Sequence, residues 1–332
     1  VTKIAVIGAG SWGTTAALLA AGSSPTVLWA RRSEVADHIN QHRENPDYLP
    51  GLRLPESLSA TAHLREAVAD ASAVVMAVPS HGFREVFAEA AQDIGPRVPV
   101  VSLTKGIEQD TLATMTQIIS EVSPGHDPGR IGVLTGPNLA DEVAAGQPTA
   151  AVIAFRDSET AVSLQSVFMG PTFRVYTHDD VTGCELGGAL KNVMAIAAGM
   201  SDGLGFGDNT RATLITRALA ELTRLGIALG GRPTTFAGLT GLGDLIATCI
   251  STKSRNHLVG VGLAQGRSLD AIVQEMRMVA EGVKTTRAVL DLASRKHIEM
   301  PIAAHVGLVL HEGMHPRDAV MSLMTRDAKS ED

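Results

Sequence analysis

The feature that most limits what this chain can fold into is a glycine pattern near its start. Gly8-Ala9-Gly10-Ser11-Trp12-Gly13 opens directly out of the apolar run Lys3-Ile4-Ala5-Val6-Ile7 and passes into a helical stretch over residues 14–21. A strand, a sharp turn and a helix in that order form a cradle for a pyrophosphate. The first glycine permits the turn, the second lets the backbone approach phosphate, and the third lets helix and strand pack closely, while the helix N-terminus supplies N–H donors. The flanking strand and helix separate this pattern from a glycine-rich turn that binds nothing. Gly8, Gly10 and Gly13 are therefore the first candidate dinucleotide contacts.

From residue 3 to about residue 178, short β-branched runs alternate with helical stretches, the pattern of a parallel sheet with crossover helices. The spacing predicts strands over 3–7, 26–30, 73–78, 98–103, 131–134, 149–155 and 173–177, with helices over 33–42, 81–94 and 111–122 among them. Several strands end in Gly, Pro or a short polar residue, as at Gly8, Pro79, Lys105-Gly106 and Gly136-Pro137. In open α/β sheets those carboxyl ends line the ligand crevice. Beyond Asp180 the spacing is helical to Met324, broken at Gly203, Gly230-Gly231, Gly266 and Pro301. The expected architecture is an α/β N-terminal Rossmann-type doubly wound sheet over residues 1–180, an all-α C-terminal, substrate-binding domain over 181–325, and a solvated tail over 326–332.

Composition limits the partners. With 28 Lys and Arg against 35 Asp and Glu, a net charge of −7 disfavours a broad nucleic-acid-binding surface, and an aromatic content of 3% disfavours stacking platforms for single strands. No apolar run approaches the roughly 18 residues of a membrane span, and Gly8, Gly10 and Gly13 interrupt the first residues too early for a secretion signal. Cys184 and Cys249 are too few for a disulfide framework or a four-thiolate metal site, which fits a cytoplasmic setting. Small-residue packing in the helical half suggests a homodimer.

The second strand ends Trp29-Ala30-Arg31-Arg32. A unit that prefers NAD carries a carboxylate at this strand end to hold the ribose hydroxyls, whereas two guanidiniums suit a 2′-phosphate. The expected cofactor is NADP(H), with NAD(H) possible.

Three constellations offer catalytic chemistry. His311-Glu312-Gly313-Met314-His315 matches a zinc-protease pattern, but the internal Gly and the following Pro316 place it where a helix ends, so no metal is expected. Gly199-Met200-Ser201-Asp202-Gly203 matches a nucleophile elbow, yet a long helical run precedes it in place of a strand, and Gly203 is expected to end that helix. The third is Lys191-Asn192, on a helical stripe with Gly187, Gly188, Ala195 and Ala198, where desolvation would push a lysine toward a pKa useful for proton transfer. Asp244, in an apolar glycine-rich turn, is a candidate partner for such a lysine. Ser254-Arg255-Asn256, at a predicted helix start, is a candidate phosphate grip.

These motifs resemble the bacterial-type NAD(P)-dependent glycerol-3-phosphate dehydrogenases. The resemblance spans nearly the whole chain: the glycine loop, Asn45-Pro46-Asp47-Tyr48-Leu49-Pro50-Gly51, Leu103-Thr104-Lys105-Gly106, the runs beginning at Leu134 and Glu185, Gly241-Leu242-Gly243-Asp244-Leu245, Ser254-Arg255-Asn256 and Val279-Ala280-Glu281-Gly282. It implies hydride transfer between a nicotinamide and C2 of dihydroxyacetone phosphate, giving sn-glycerol 3-phosphate for phospholipid synthesis. It implies Lys191 as proton donor and acceptor beside Asp244, and substrate contacts from Lys105, Gly136, Asn138, Ser254, Arg255 and Asn256. Cofactor contacts would come from Ser11, Trp12, Arg31, Arg32, Lys105, Ala140, Arg255, Val279 and Glu281. Two positions depart from the family pattern: Asn138-Leu139 replaces a Ser or Thr followed by an aromatic or His, and Arg31-Arg32 replaces a His-Arg type pair.

Two alternatives stand beside this reading. A ketopantoate-type or hydroxyacyl reductase of the same architecture would have no need of a phosphate grip, and a cofactor-sensing protein would have no need of Lys191, Asp244 and Arg255 together.

Overall fold

The computed structural model describes residues 3–276, 280–328 and 330. The chain forms two compact units, one of residues up to 108 with 113–186, the other of 109–112 with the residues from 187 onward.

The first unit is built on an eight-stranded sheet: β1 (Ile4–Ile7), β2 (Thr26–Trp29), β3 (Leu58–Thr61), β4 (Ala73–Met76), β5 (Val100–Ser102), β6 (Ile131–Thr135), β7 (Thr149–Phe155) and β8 (Phe173–His178). Their order is β3-β2-β1-β4-β5-β6-β7-β8. The chain thus winds outward from β1 in both directions, and the strand order reverses beside the glycine loop, where doubly wound sheets bind ligands. Alternation along β1 builds a core on each face: Ile4 and Val6 pack in one cluster with Ala16, Ala20 and Phe168, Ala5 and Ile7 in another with Phe83, Phe87 and Ile118. Both faces are buried, so these strands read as continuous apolar runs.

Three details differ from the sequence reading. β3 was not predicted: its Leu-Ser-Ala-Thr lacks a β-branched run and only alternate residues, Leu58 and Ala60, are buried. The sheet is not wholly parallel, because β7 runs antiparallel to β6. The intervening helix Ala140–Ala144 has five residues and rises only about 8 Å, too little to carry the chain back across the sheet, so β7 re-enters from the end at which β6 left. The helix predicted over 111–122 begins at Met115, where Thr114 and Gln117 form a capping box; the residues before it are drawn into an Ile107–Thr114 bridge.

The second unit is helical. The helix Val181–Gly203 enters it from the first unit and is followed by Asp208–Ala228, Asp244–Ile250, Arg255–Ala264, Leu269–Glu275, Glu281–Arg295, Pro301–Glu312 and Pro316–Met324, with a short turn of helix at Pro233–Phe236. Val181–Gly203 and Arg255–Ala264 cross with backbone against backbone: a Cβ on Gly199 would collide with the carbonyl of His257, and one on Gly260 with the carbonyl of Ile196. Gly203 belongs to this contact, since its Cβ would stand 2.7 Å from that of Ala264. It is the last helical residue, as expected, and the left-handed turn that follows is at Gly205, φ +80°. Asp202 fastens the same corner by accepting from Arg211 at 3.0 Å and bonding His257 Nε2 at 2.9 Å. Gly313, φ +76°, ends Pro301–Glu312, and His315 caps the next helix, so His311 and His315 lie on different elements.

Candidate active site

In the first unit, Gly8 sits at φ +117° between β1 and the helix Ser11–Ala21, a conformation that glycine adopts without strain. A Cβ on Gly13 would collide with the Gly8 carbonyl, whereas nothing stands within 4 Å of the Cβ position of Gly10. The loop is therefore closed where helix meets strand and open where a ligand would approach. Gly10 caps the helix without a side-chain hydrogen bond, so the first turn presents N–H groups that have no intrahelical acceptor. Trp12 packs against Phe173 at 6.3 Å between ring centroids, and its indole N–H is buried without a partner. An open backbone, a helix N-terminus and a buried spare donor fit a bound dinucleotide pyrophosphate.

The Asn45–Gly51 stretch is fastened to this loop. The Asn45 side-chain amide donates to the Ala9 carbonyl at 2.9 Å and to Thr14 Oγ1 at 2.8 Å, and Ser11 Oγ donates to the Tyr48 carbonyl at 3.1 Å. It also brings Asp47 onto Arg32 as an ion pair. The run Trp29-Ala30-Arg31-Arg32 holds no carboxylate of its own; one arrives from 15 residues further on, too far to be seen in the local run. Arg31 is exposed, with no side-chain partner among the described residues.

At the carboxyl ends of β5 and β6, Lys105 Nζ donates to the Gly136 carbonyl at 2.8 Å. Gly136 takes φ +134°, and both polar atoms of the Asn138 carboxamide are buried without a hydrogen-bond partner. The Ala140 carbonyl accepts from Thr15 Oγ1 at 3.3 Å, tying this turn to the glycine-loop helix.

In the second unit Lys191 is 5% exposed and Asp244 is 1% exposed. The ammonium donates to Asp244 Oδ1 and, at 2.5 Å, to Thr248 Oγ1. Thr248 in turn donates to the main-chain oxygen of Asp244 at 2.7 Å. A charge buried this deeply is tolerated because it is paired and hydrogen-bonded. The approach depends on Gly187, where a Cβ would stand 2.5 Å from the Thr240 carbonyl; that carbonyl belongs to the π-helical turn Leu239–Gly243 leading into Asp244. Cys249, in the same helix, has its thiol pushed up to about 12 by burial, against a smaller opposing effect of Lys191.

Ser254 caps Arg255–Ala264, its oxygen accepting from His257 N at 3.3 Å; Arg255 is exposed on the first turn. Asn256 is buried and engaged at both ends, donating to Asn192 Oδ1 at 3.0 Å and accepting from Gly282 N at 2.9 Å. It therefore joins the neighbours of Lys191, Arg255 and Glu281. Glu281 is half-buried at the start of its helix; Val279, also named from the sequence, lies outside the described residues.

The family profile described as NAD-dependent glycerol-3-phosphate dehydrogenase N-terminus matches residues 3–161, and its C-terminal counterpart matches residues 180–321. The chain belongs to the NAD-dependent glycerol-3-phosphate dehydrogenase family. It is 56% identical over 304 residues to glycerol-3-phosphate dehydrogenase [NAD(P)+] 2 of Sphingopyxis alaskensis, covering 92% of this chain and 90% of the relative. It is 49% identical over 330 residues to glycerol-3-phosphate dehydrogenase [NAD(P)+] of Anaeromyxobacter dehalogenans, covering 99% of each. The crystal structure of glycerol-3-phosphate dehydrogenase from Coxiella burnetii superposes with a TM-score of 0.93 at 38% identity, over 98% of this chain and 99% of that one.

Sequence reasoning missed Thr248, named Asn192 beside Lys191 without its bond to Asn256, and quoted Asn45 and Asp47 only within a motif, with no role for either. Thr248 was within reach, because it lies four residues after Asp244 in a helical run and so shares its face. Asn45 and Asp47 act across the loop that follows the second helix, and no local periodicity marks them.

Proposed function

We propose that Lys191 is the proton donor and acceptor of an oxidoreductase that interconverts dihydroxyacetone phosphate and sn-glycerol 3-phosphate with NAD(P)H. The observation that carries this reading is the buried ammonium held between Asp244 and Thr248. The nicotinamide, when bound, supplies or accepts the hydride at C2. Reduction leaves negative charge on the C2 oxygen, and an ammonium there stabilises it and delivers the proton. Asp244 pairs with the Lys191 ammonium and Thr248 fixes its direction.

The same reading gives residues 1–180 the dinucleotide and residues 181–325 the substrate. Gly8, Gly10, Ser11, Trp12 and Gly13 receive the pyrophosphate side, with Lys105, Ala140, Arg255, Val279 and Glu281 as further cofactor contacts. Ser254 and Arg255 grip the substrate phosphate, and Asn256 holds that grip in register. Lys105, Gly136 and Asn138 complete the substrate contacts; the unpartnered Asn138 carboxamide supports its place there. A phosphate held at one end orients the carbonyl at the other, converting binding energy into rate. Arg31 and Arg32 favour NADP(H), with NAD(H) accepted as well. A cytoplasmic homodimer supplying phospholipid synthesis fits this activity, and among the described residues no helix is long and apolar enough to cross a membrane.

Turnover of dihydroxyacetone phosphate with NADPH and NADH, followed in wild type and Lys191→Ala, tests the reading. The wild type turns over at least one cofactor and the variant neither; an equally active variant overturns the proton-transfer role.

A further inference from the structure

We propose that Asp47 is a specificity-determining residue for the cofactor: its carboxylate, held against Arg32, lets the end of β2 accept a ribose 2′-hydroxyl as well as a 2′-phosphate. The inference rests on the reading that this strand end meets the adenosine ribose.

The placement is built and not incidental. Asp47 belongs to a stretch pinned to the glycine loop by Asn45 at the Ala9 carbonyl and Thr14, and by Tyr48 at Ser11. The same stretch is closed on itself by an Asn45–Leu49 bridge and by Gly51 N donating to Glu44 Oε1 at 2.8 Å. Any ligand on the loop therefore meets Asp47 at a fixed position relative to Gly10.

Chemically, a carboxylate beside Arg32 does two opposed things. It accepts hydrogen bonds from ribose hydroxyls, the role an acidic residue at the strand end plays in NAD-preferring units. It also repels a 2′-phosphate and occupies donors of the one guanidinium, leaving Arg31 as the uncommitted cation. The side chains of Arg32 and Asp47 are 53% and 45% exposed, so the pair is hydrated and weak enough for an incoming phosphate to reopen it. Two arginines alone would select strongly for the phosphate; two arginines and a pinned carboxylate admit both cofactors.

The test is a fluorescence titration of the full chain with NADPH and with NADH, in wild type, Asp47→Asn, Asp47→Glu and Arg31→Ala. Asp47→Asn is expected to shift the ratio of the two dissociation constants about fivefold toward NADPH, through tighter NADPH and weaker NADH binding. Asp47→Glu, which keeps the charge, should stay within about twofold of the wild-type ratio. An unchanged ratio in Asp47→Asn, an equal loss of both cofactors, or an equal shift in Asp47→Glu overturns the proposal. The underlying preference is judged separately: wild type binding NADH as tightly as NADPH, with Arg31→Ala altering neither, removes NADP(H) preference but leaves the change on Asp47→Asn to decide the role of Asp47.

Discussion

Thr248 accepts a hydrogen bond from Lys191 at 2.5 Å while donating its own proton to the Asp244 main-chain oxygen at 2.7 Å. Its hydroxyl is thereby oriented with a lone pair toward the ammonium, so the lysine is aimed by two acceptors and not by one.

Removing that second acceptor should misdirect the proton without abolishing its donor. Thr248→Val is expected to lower kcat about tenfold with KM for dihydroxyacetone phosphate within about threefold, Thr248→Ser to restore most of the loss, and Lys191→Ala to lower kcat by about 10³ or more. Steady-state kinetics of the three variants checks this; a Thr248→Val protein with wild-type kcat assigns the threonine to packing alone.

Glu221 gives the second unit a pH-dependent stability. Its carboxylate, 3% exposed, accepts from Ile302 N at 2.8 Å and Ala303 N at 3.3 Å, at the start of Pro301–Glu312. Burial nonetheless pushes it from 4.5 up to about 7, against the pull of those two donors and of Arg224 and Arg326. Because the folded value is raised, the contribution is fully present below about 4.5 and is lost as pH rises through about 7. A shift of this size corresponds to about 3 kcal/mol. Unfolding midpoints of wild type and Glu221→Gln, measured from pH 4.5 to 8, should diverge with rising pH in favour of the variant; parallel curves would contradict the assignment.

Glycine substitutions should separate by what surrounds them. Gly199→Ala and Gly260→Ala force backbone apart at a helix crossing and are expected to destabilise by about 3 kcal/mol or to prevent soluble expression. Gly82→Ala, inside the helix Ser80–Ala90 with open space around it, should stabilise by about 0.5 kcal/mol. Thermal unfolding of the three proteins decides, and a mild Gly260→Ala would mean that the crossing can relax.

The buried thiols of the second, helix-rich half and its entry helix should be inert. Cys249 is 1% exposed and pushed up to about 12, so it offers no thiolate at neutral pH, and Cys184 is 0% exposed and out of a reagent's reach. Incubation with iodoacetamide at pH 8 should leave activity intact and both residues unmodified by mass spectrometry until the chain is unfolded; rapid loss of activity would show that the helix Asp244–Ile250 opens.

Much of the first unit was legible because a buried sheet writes itself as apolar runs punctuated by glycine, and Gly8-Ala9-Gly10-Ser11-Trp12-Gly13 fixes both a turn and a ligand class. The reversal of β7 was not legible, since it depends on how short the helix Ala140–Ala144 turns out to be, which no single residue states. In the second unit Lys191 and Asp244 could be named as chemistry out of place in apolar surroundings. Their pairing followed from the resemblance, but the approach that makes it, across 53 positions and through the absent side chain of Gly187, is marked by no local pattern. Asp47 was overlooked for a related reason: charge was read along the strand end, whereas the field there is completed by a distant stretch.

Where two helices meet main chain to main chain, their separation is set by backbone contact and not by long side chains that exchange rotamers. Gly199 and Gly260 put Val181–Gly203 and Arg255–Ala264 in that relation, and Lys191 and Arg255 stand one on each helix. The two cations are thus marks on a single ruler. A ligand that must touch both is selected by its length, and only a change that moves the helix crossing itself recalibrates that length.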